Sequence, residues 1–445
     1  VRIPEAPPEL NDLFAEASES GDLGRIFLAN RPVDYKGRYL HWEDMLNRNP
    51  PEGLSHREWW LGTTLARRSI ARALPIHAVD GRPFQFSNVD TIHELVHRID
   101  QQASGQILAD DVVTNLRSSD RYLVSSLVEE AITSSQLEGA STTRRVAKEL
   151  LATGRKPRDR SEQMIVNNFR AMTAAQELED QELTAAEVLD LHRIVTQDTL
   201  DGPSGAGSLQ STDDERIAVY WHDGTLLHRP PPAIELPQRL ETICKFANGQ
   251  LGEGFIHPVV RAIIVHFAIG YDHPFVDGNG RTARALFYWA MLHDGYWLTR
   301  YLSVSSILRK APAKYARSYL LTETDNNDIT YFVIYQLQVI EQAIRSLYAY
   351  LSRKIAETRD IEALIHGSSD LNHRQLLIIR DALRDSSESF TISAQARRHR
   401  VVYESARADL LDLERRGLMT KQKIGKKYVF RCPPDLPDRL RHLGD

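Results

Sequence analysis

A chain of 445 residues, 42% hydrophobic and 26% charged, has enough apolar material for two to four domains with real cores and is not disordered as a whole. Its formal charge of −5, from 55 Lys and Arg against 60 Asp and Glu, excludes a protein that grips polyanions along its whole length but leaves room for a local basic module. Two distant cysteines, Cys244 and Cys432, with no CxxC, exclude a disulfide scaffold and a cysteine-based zinc site.

The opening VRIPEAPPEL has no basic stretch leading into an apolar core, so no signal peptide is expected. The greasiest run, VVRAIIVHFAIGY, is interrupted by Arg261 and His266 and falls short of the ~18 apolar residues of a membrane span. A soluble, cytoplasmic, multidomain protein with no membrane partner is expected. Residues 1–115 mix helical patterns with turn-rich stretches such as NRNPPEGLSH and HAVDGRPFQF. They are expected to form a mainly helical scaffold, with Trp42, Trp59 and Trp60 in its core. Near-3.6 spacing of Leu123, Leu127 and Ile132 predicts a helix over about 121–139 that stops at Glu138-Gly139.

Further helical patterns cover 160–179 and 184–198, and the Gly- and Ser-rich DGPSGAGS then breaks the chain. RIAVYWHDGTLLHR, over about 216–229, reads as a hairpin: Ile217, Val219 and Trp221 alternate, and Asp223-Gly224 suits a two-residue turn. Pro230-Pro231-Pro232 ends its second strand. Helices are expected at 235–248, 257–271, 281–294, 312–321 and 328–356, with Gly367-Ser368-Ser369 as a linker.

Residues 273–284, HPFVDGNGRTAR, join two apolar helical patterns. Pro274 disfavours helical geometry at His273, so the incoming helix should end there. Gly278 and Gly280 are each able to take positive φ and bring main-chain N–H groups close to a ligand. Arg281 is expected to open the next helix, whose unsatisfied N–H groups and positive dipole end make an anion site. Arg284, three residues on, adds charge near the same face. Asp277 supplies a hard carboxylate for Mg²⁺, and His273 the one side chain here that takes a proton near neutral pH. Together these make a phosphate cradle with a metal ligand and a base.

The segment resembles the Fic family, whose signature is His-Pro-Phe-x-(Asp/Glu)-Gly-Asn-Gly-Arg-x-x-Arg; every specified position is present. The resemblance implies a mainly α fold, with an all-helical core over 116–365 that contains the predicted hairpin as a substrate flap. It implies transfer of AMP from ATP to a hydroxyl of a target protein held along that flap. His273 would deprotonate the hydroxyl, and Asp277 would hold Mg²⁺ between the α- and β-phosphates. Asn279 would bond the α-phosphate, the Gly278 and Gly280 main chain would line the anion hole, and Arg281 and Arg284 would bind the β- and γ-phosphates. Tyr315 resembles a family tyrosine near the ribose. Leu209-Gln210-Ser211-Thr212 departs from the Gly-(Arg/Lys)-(Phe/Tyr)-Arg that often begins the flap in relatives.

Ser134-Ser135-Gln136-Leu137-Glu138-Gly139 resembles a second family signature, (Ser/Thr)-x-x-x-Glu-(Gly/Asn), an inhibitory helix. By that resemblance Glu138 pairs with Arg284 and keeps it from the γ-phosphate, with Ser134 and Gly139 completing the motif. AMP removal, another phosphate donor, a homodimer, and a nucleotide-sensing transcription regulator all stay open.

Between Leu371 and Arg431 stand 14 Lys or Arg and 7 Asp or Glu, a local excess of seven positive charges. Predicted helices at 372–384, from 391 and at 403–416, followed by a hairpin around Ile424-Gly425-Lys426, resemble a winged helix-turn-helix over 371–432. Its expected reading set is Tyr403, Glu404, Ser405 and Arg407, with Lys423, Lys426 and Lys427 near phosphates. DNA and a protein partner are both compatible with it.

Overall fold

A computed structural model describes residues 2–103, 116–202, 205–212, 216–221, 223–252, 254–366, 371–384, 388–424 and 427–441. The chain is mainly helical, as expected. It divides into two units, residues 1–347 and 348–445.

The first unit opens with α1 (Leu10–Glu19), α2 (Leu23–Leu28), α3 (Trp42–Leu46) and α4 (His56–Ile70). A capping box starts α4: Ser55 accepts from the Glu58 N–H while the Glu58 carboxylate accepts from the Ser55 N–H. These helices enclose Leu13, Ile26, Trp42, Met45, Trp59 and Trp60, so the tryptophans are core residues as expected. The stretch read as turn-rich holds an antiparallel pair instead, β1 (Ala71–His77) and β2 (Pro83–Ser87). The Ala78 N–H bonds the Arg82 carbonyl around a three-residue loop in which Gly81 takes φ +78°. Pro75 and Pro83 break the donor pattern that usually marks a strand, and the alternation shows only in burial, with Leu74, Ile76, Phe84 and Phe86 turned inward.

There follow α5 (Asp90–Ala103), α6 (Leu116–Leu137), α7 (Arg144–Thr153), α8 (Arg160–Glu177) and α9 (Ala185–Thr196). Next come β3 (Val219–Tyr220), β4 (Leu226–His228), α10 (Leu236–Ala247), α11 (Pro258–Asp272), α12 (Asn279–His293), α13 (Val304–Leu308) and α14 (Pro312–Thr324). α15 (Thr330–His366) carries the chain across the division between the units. Apolar residues on every side of α11 make it the central helix. Ile263, Ile264, Val265, Phe267 and Ile269 are all inaccessible to solvent, each burial contributing about 1.5–3 kcal/mol. α11 packs along α12, and α8 and α9 lie against α12. The loop between α11 and α12 is therefore held between two rigid rods.

The second unit contains α16 (His373–Arg384), β5 (Ser389–Thr391), α17 (Ile392–His399), α18 (Tyr403–Arg415), β6 (Thr420–Ile424), β7 (Lys427–Arg431) and α19 (Leu436–Arg441). The sheet runs β5-β7-β6, all antiparallel. β5 was not visible in the sequence; it is three residues long and paired only through β7. Thr391 caps α17, accepting from the Ala394 N–H at 3.3 Å. Ile379, Phe390, Leu410, Leu413 and Phe430 form the core. The expected linker at 367–369 lies outside the described residues. No helix among the described residues is long and apolar enough to cross a membrane.

Candidate active site

α11 ends where Pro274 requires. His273 adopts φ 45° and ψ 53°, a left-handed cap, and its N–H bonds the Ile269 carbonyl at 3.1 Å. Asn279 staples the loop: its side-chain oxygen accepts from the Phe275 N–H (2.9 Å) and its amide donates to the Phe275 carbonyl (2.7 Å). Gly278 takes φ +87°, and a Cβ there would lie 2.8 Å from the Thr196 methyl. Two expectations change. α12 begins at Asn279, not Arg281, and Gly280 lies in its first turn with ordinary helical backbone. Glycine is needed at 280 for space, not for positive φ.

The two arginines diverge. Arg281, fully buried, donates to the Val195 carbonyl at 3.0 Å and to Asp277 Oδ1 at 3.3 Å. Burial pulls its pKa down. Arg284 turns toward α6, donating to the Ser134 hydroxyl (2.8 Å), the Ser134 carbonyl (3.1 Å) and Glu138 Oε1 (2.8 Å). Burial opposes its charge most, but Glu138, Tyr315 and Glu130 together more than offset that, and its pKa stands above the usual arginine value. A Cβ built on Gly280 would lie 2.1 Å from Glu138 Oε1 and 3.0 Å from Arg284 Nη1. The carboxylate thus sits directly over the first turn of α12, where free N–H groups favour an anion. Gly139, at φ +91°, turns the chain away immediately after it.

His273 is half-buried, and burial lowers its pKa to about 4; the Gly270 carbonyl and Glu138 push it up, His228 and Arg216 down. The imidazole is therefore in its neutral form at physiological pH. Asp277 Oδ1 also accepts from the Gly278 N–H (2.6 Å), and Oδ2 faces the exposed Arg160 (3.3 Å). Among the described residues no group of three His, Cys, Asp or Glu is placed to hold a metal. A lone carboxylate beside a phosphate cradle nevertheless fits Mg²⁺, which usually shares its sphere with phosphate oxygens. Tyr315 lies beside Arg284, its hydroxyl 2.8 Å from His266 Nε2 and 3.5 Å from that of Tyr319.

Several supporting residues went unnoticed in the sequence. His192 stacks on Phe275 with centroids 3.7 Å apart and rings 7° from parallel. Its Nδ1 accepts from the Gly207 N–H (3.0 Å), which leaves Nε2 as the donor to the Asp277 carbonyl (2.9 Å). Burial lowers its pKa to about 4, so that tautomer persists at neutral pH. Glu130, buried below Arg284, accepts from Ser303 Oγ, from the Ser305 N–H and from Ser305 Oγ. Nothing local marks either residue; α9 and α6 deliver them from 81 and 143 positions upstream of His273.

The hairpin is shorter than expected. It closes on a three-residue loop, with the Trp221 N–H bonded to the Thr225 carbonyl (2.8 Å) and Gly224 at φ +84°. This replaces the expected two-residue turn. Tyr220 is exposed on it, and Arg216 belongs to neither strand. In the second unit Tyr403 and Lys423 are exposed and Ser405 is half-buried, while Arg407 pairs with Glu404 at 3.2 Å. Lys426 and the Lys427 side chain lie outside the described residues.

Comparison with known proteins adds three likenesses. Residues 182–291 match the Fic/DOC family, a stretch that includes the loop between α11 and α12 but not Glu138. Protein adenylyltransferase Fic of Drosophila grimshawi is 29% identical over 115 residues, 26% of this chain and 21% of that protein. The Drosophila virilis relative is 30% identical over the same shares. The chain thus spans about a fifth of the length of the curated relatives it matches. A crystal structure of a Fic family protein from Desulfovibrio desulfuricans aligns with a TM-score of 0.55 at 18% identity, covering 78% of this chain and 98% of that one, and so shares its fold.

Proposed function

The chain carries a Fic/DOC-family domain at residues 182–291, and from that premise we propose that it is a self-inhibited protein adenylyltransferase. The observation that carries this reading is the Glu138 carboxylate over Gly280, bonded to Arg284. A carboxylate already occupies a place shaped for a phosphate, in a loop that also holds a neutral imidazole.

In the reaction, His273 takes the proton of a target Ser, Thr or Tyr hydroxyl, whose oxygen attacks the α-phosphorus of ATP. The bond from that phosphorus to the bridging oxygen breaks, and pyrophosphate leaves. The α12 N-terminus and Arg284 hold the phosphates, Asn279 keeps the loop in shape, and Asp277 would hold Mg²⁺. When bound, the metal neutralises charge on the phosphates. Transfer at phosphorus depends mainly on positioning and electrostatics, which these groups supply. The exposed hairpin offers main-chain groups to a target segment.

The test uses Glu138→Gly protein, a cell extract, and ATP labelled at either the α- or the γ-phosphate. Label from the α-position should remain on a protein band and label from the γ-position should not; the reverse pattern would make the protein a kinase. Across pH, kcat/KM should be flat near neutrality and fall only toward about pH 4, because the base works deprotonated and its pKa lies there. Loss of the Glu138 charge moves that limb lower still. An acid limb at the ordinary histidine value of 6.5 would show that burial does not depress the His273 pKa, and persistence of the same limb in His273→Ala would remove His273 from the role.

For the second unit we propose contact with duplex DNA through α18 and the β6–β7 hairpin, where Tyr403 and Lys423 are exposed. Internal pairs, Arg374–Asp409, Arg416–Asp412 and Lys421–Glu414, engage three of the basic residues and leave the net positive excess unchanged. Retention of random duplex at low salt is expected, with a slope of roughly −2 to −3 for two or three phosphate contacts from this face. No retention at low salt would assign this face to a protein partner.

A further inference from the structure

One side chain ties the hairpin segment to the catalytic loop. Arg216 stands ahead of β3, at the foot of the hairpin's first leg. Its Nη2 donates to the carbonyls of Asp272 (2.6 Å) and His273 (3.1 Å). Nε donates to the carbonyl of Pro231, at the foot of the second leg (2.7 Å), and Nη1 to the side-chain oxygen of Gln210. Gln210 is itself buried; its main-chain N–H bonds the Pro274 carbonyl (2.9 Å) and its side-chain amide the Phe275 carbonyl (3.0 Å). Four consecutive carbonyls, 272 to 275, are thus held by two residues from the segment that leads into the hairpin.

The chemistry of this junction is specific. Carbonyls at the end of a helix lack intrahelical partners and carry the negative end of its dipole, which a cation satisfies. A planar guanidinium can span several oxygens at once, which an ammonium cannot do in the same geometry. Left-handed backbone costs a non-glycine residue roughly 1–2 kcal/mol, and it persists where the surroundings over-determine it. At His273 these bonds, together with Pro274, do so.

We propose that Arg216 is a positioning residue for His273, the junction through which both legs of the hairpin set the orientation of the catalytic imidazole. A target segment laid on the hairpin and the base that deprotonates its hydroxyl are aligned by the same bonds. This rests on the reading of His273 as the general base. It also accounts for Gln210 standing where relatives often begin the flap with an arginine motif: the guanidinium arrives six residues later.

The test compares Arg216→Ala and Arg216→Lys in the Glu138→Gly protein. Both should lower kcat, the alanine variant by about 10²-fold, with ATP affinity by calorimetry unchanged within about twofold. The groups facing His273 are Glu138, His228, Arg216 and the Gly270 carbonyl, and of these His228 and the Arg216 charge oppose protonation. In an NMR titration, then, the His273 pKa should rise in Arg216→Ala and hold in Arg216→Lys, while its ring signals broaden in both. Full activity in the lysine variant, or sharp and unmoved ring signals in both, would overturn the proposal. Should the parent itself transfer no AMP, the adenylyltransferase reading fails, and the ring signals still decide whether Arg216 orients the imidazole.

Discussion

Replacing Glu138 with glycine is expected to raise AMP transfer by at least about 10²-fold, because misplacing a reacting centre by ~1 Å costs about that much. The wild-type carboxylate fills the space over Gly280 and bonds an Arg284 nitrogen at 2.8 Å. In the proposed mechanism, ATP entering that site meets a like charge and finds its arginine engaged. Removal opens both. It also strands part of a buried charge: losing one partner of a buried ion pair costs about 3–5 kcal/mol, less here because Ser134 keeps two bonds to the guanidinium. The variant should therefore melt lower than wild type without nucleotide and recover more on adding ATP, since a ligand that binds only the folded state stabilises it. Equal transfer rates together with equal ATP-induced shifts would show that Glu138 does not obstruct the site.

In that activated background, His273→Ala should lower transfer by about 10²–10⁴-fold, the usual contribution of a positioned general base. ATP affinity should be nearly unchanged, because phosphate contacts come from the α12 N-terminus and Arg284 rather than from the imidazole. Calorimetry for binding and retained α-label for chemistry separate the two. Transfer within tenfold of the parent would mean that another group, or solvent, takes the proton. Loss of ATP binding along with the rate would instead point to collapse of the loop that His273 caps.

The parts of the site legible in the sequence are those whose constraint is local. Pro274 ends α11 at the residue before it, and Gly278 combines a positive φ with a lack of room for a Cβ beside Thr196. Spacing alone misjudged the arginines. Three residues along a helix keeps Arg281 and Arg284 adjacent at the backbone, yet side chains this long follow their acceptors, Val195 and Asp277 for one, Ser134 and Glu138 for the other. His192, Glu130 and Arg216 were invisible because each acts through tertiary contacts that leave no periodic trace. The two hairpins show the same limit. Asp80-Gly81 and Asp223-Gly224 form three-residue loops with glycine left-handed, but only the second pair is flanked by alternation that a sequence reader can see.

Ser134 deserves its place beside Glu138 for another reason. One helix and the residue just past its end hold Arg284 in two ways, through the Glu138 carboxylate and through a Ser134 hydroxyl and main-chain oxygen, the last of which no substitution can delete. The same α6 buries Ala131 and Ile132 and seats Glu130. It is no detachable plug: cutting it away would unseat the arginine and open the core, leaving a poorer catalyst than a single point change at its tip. Release of the proposed brake has to unlatch the end of a beam that must stay standing.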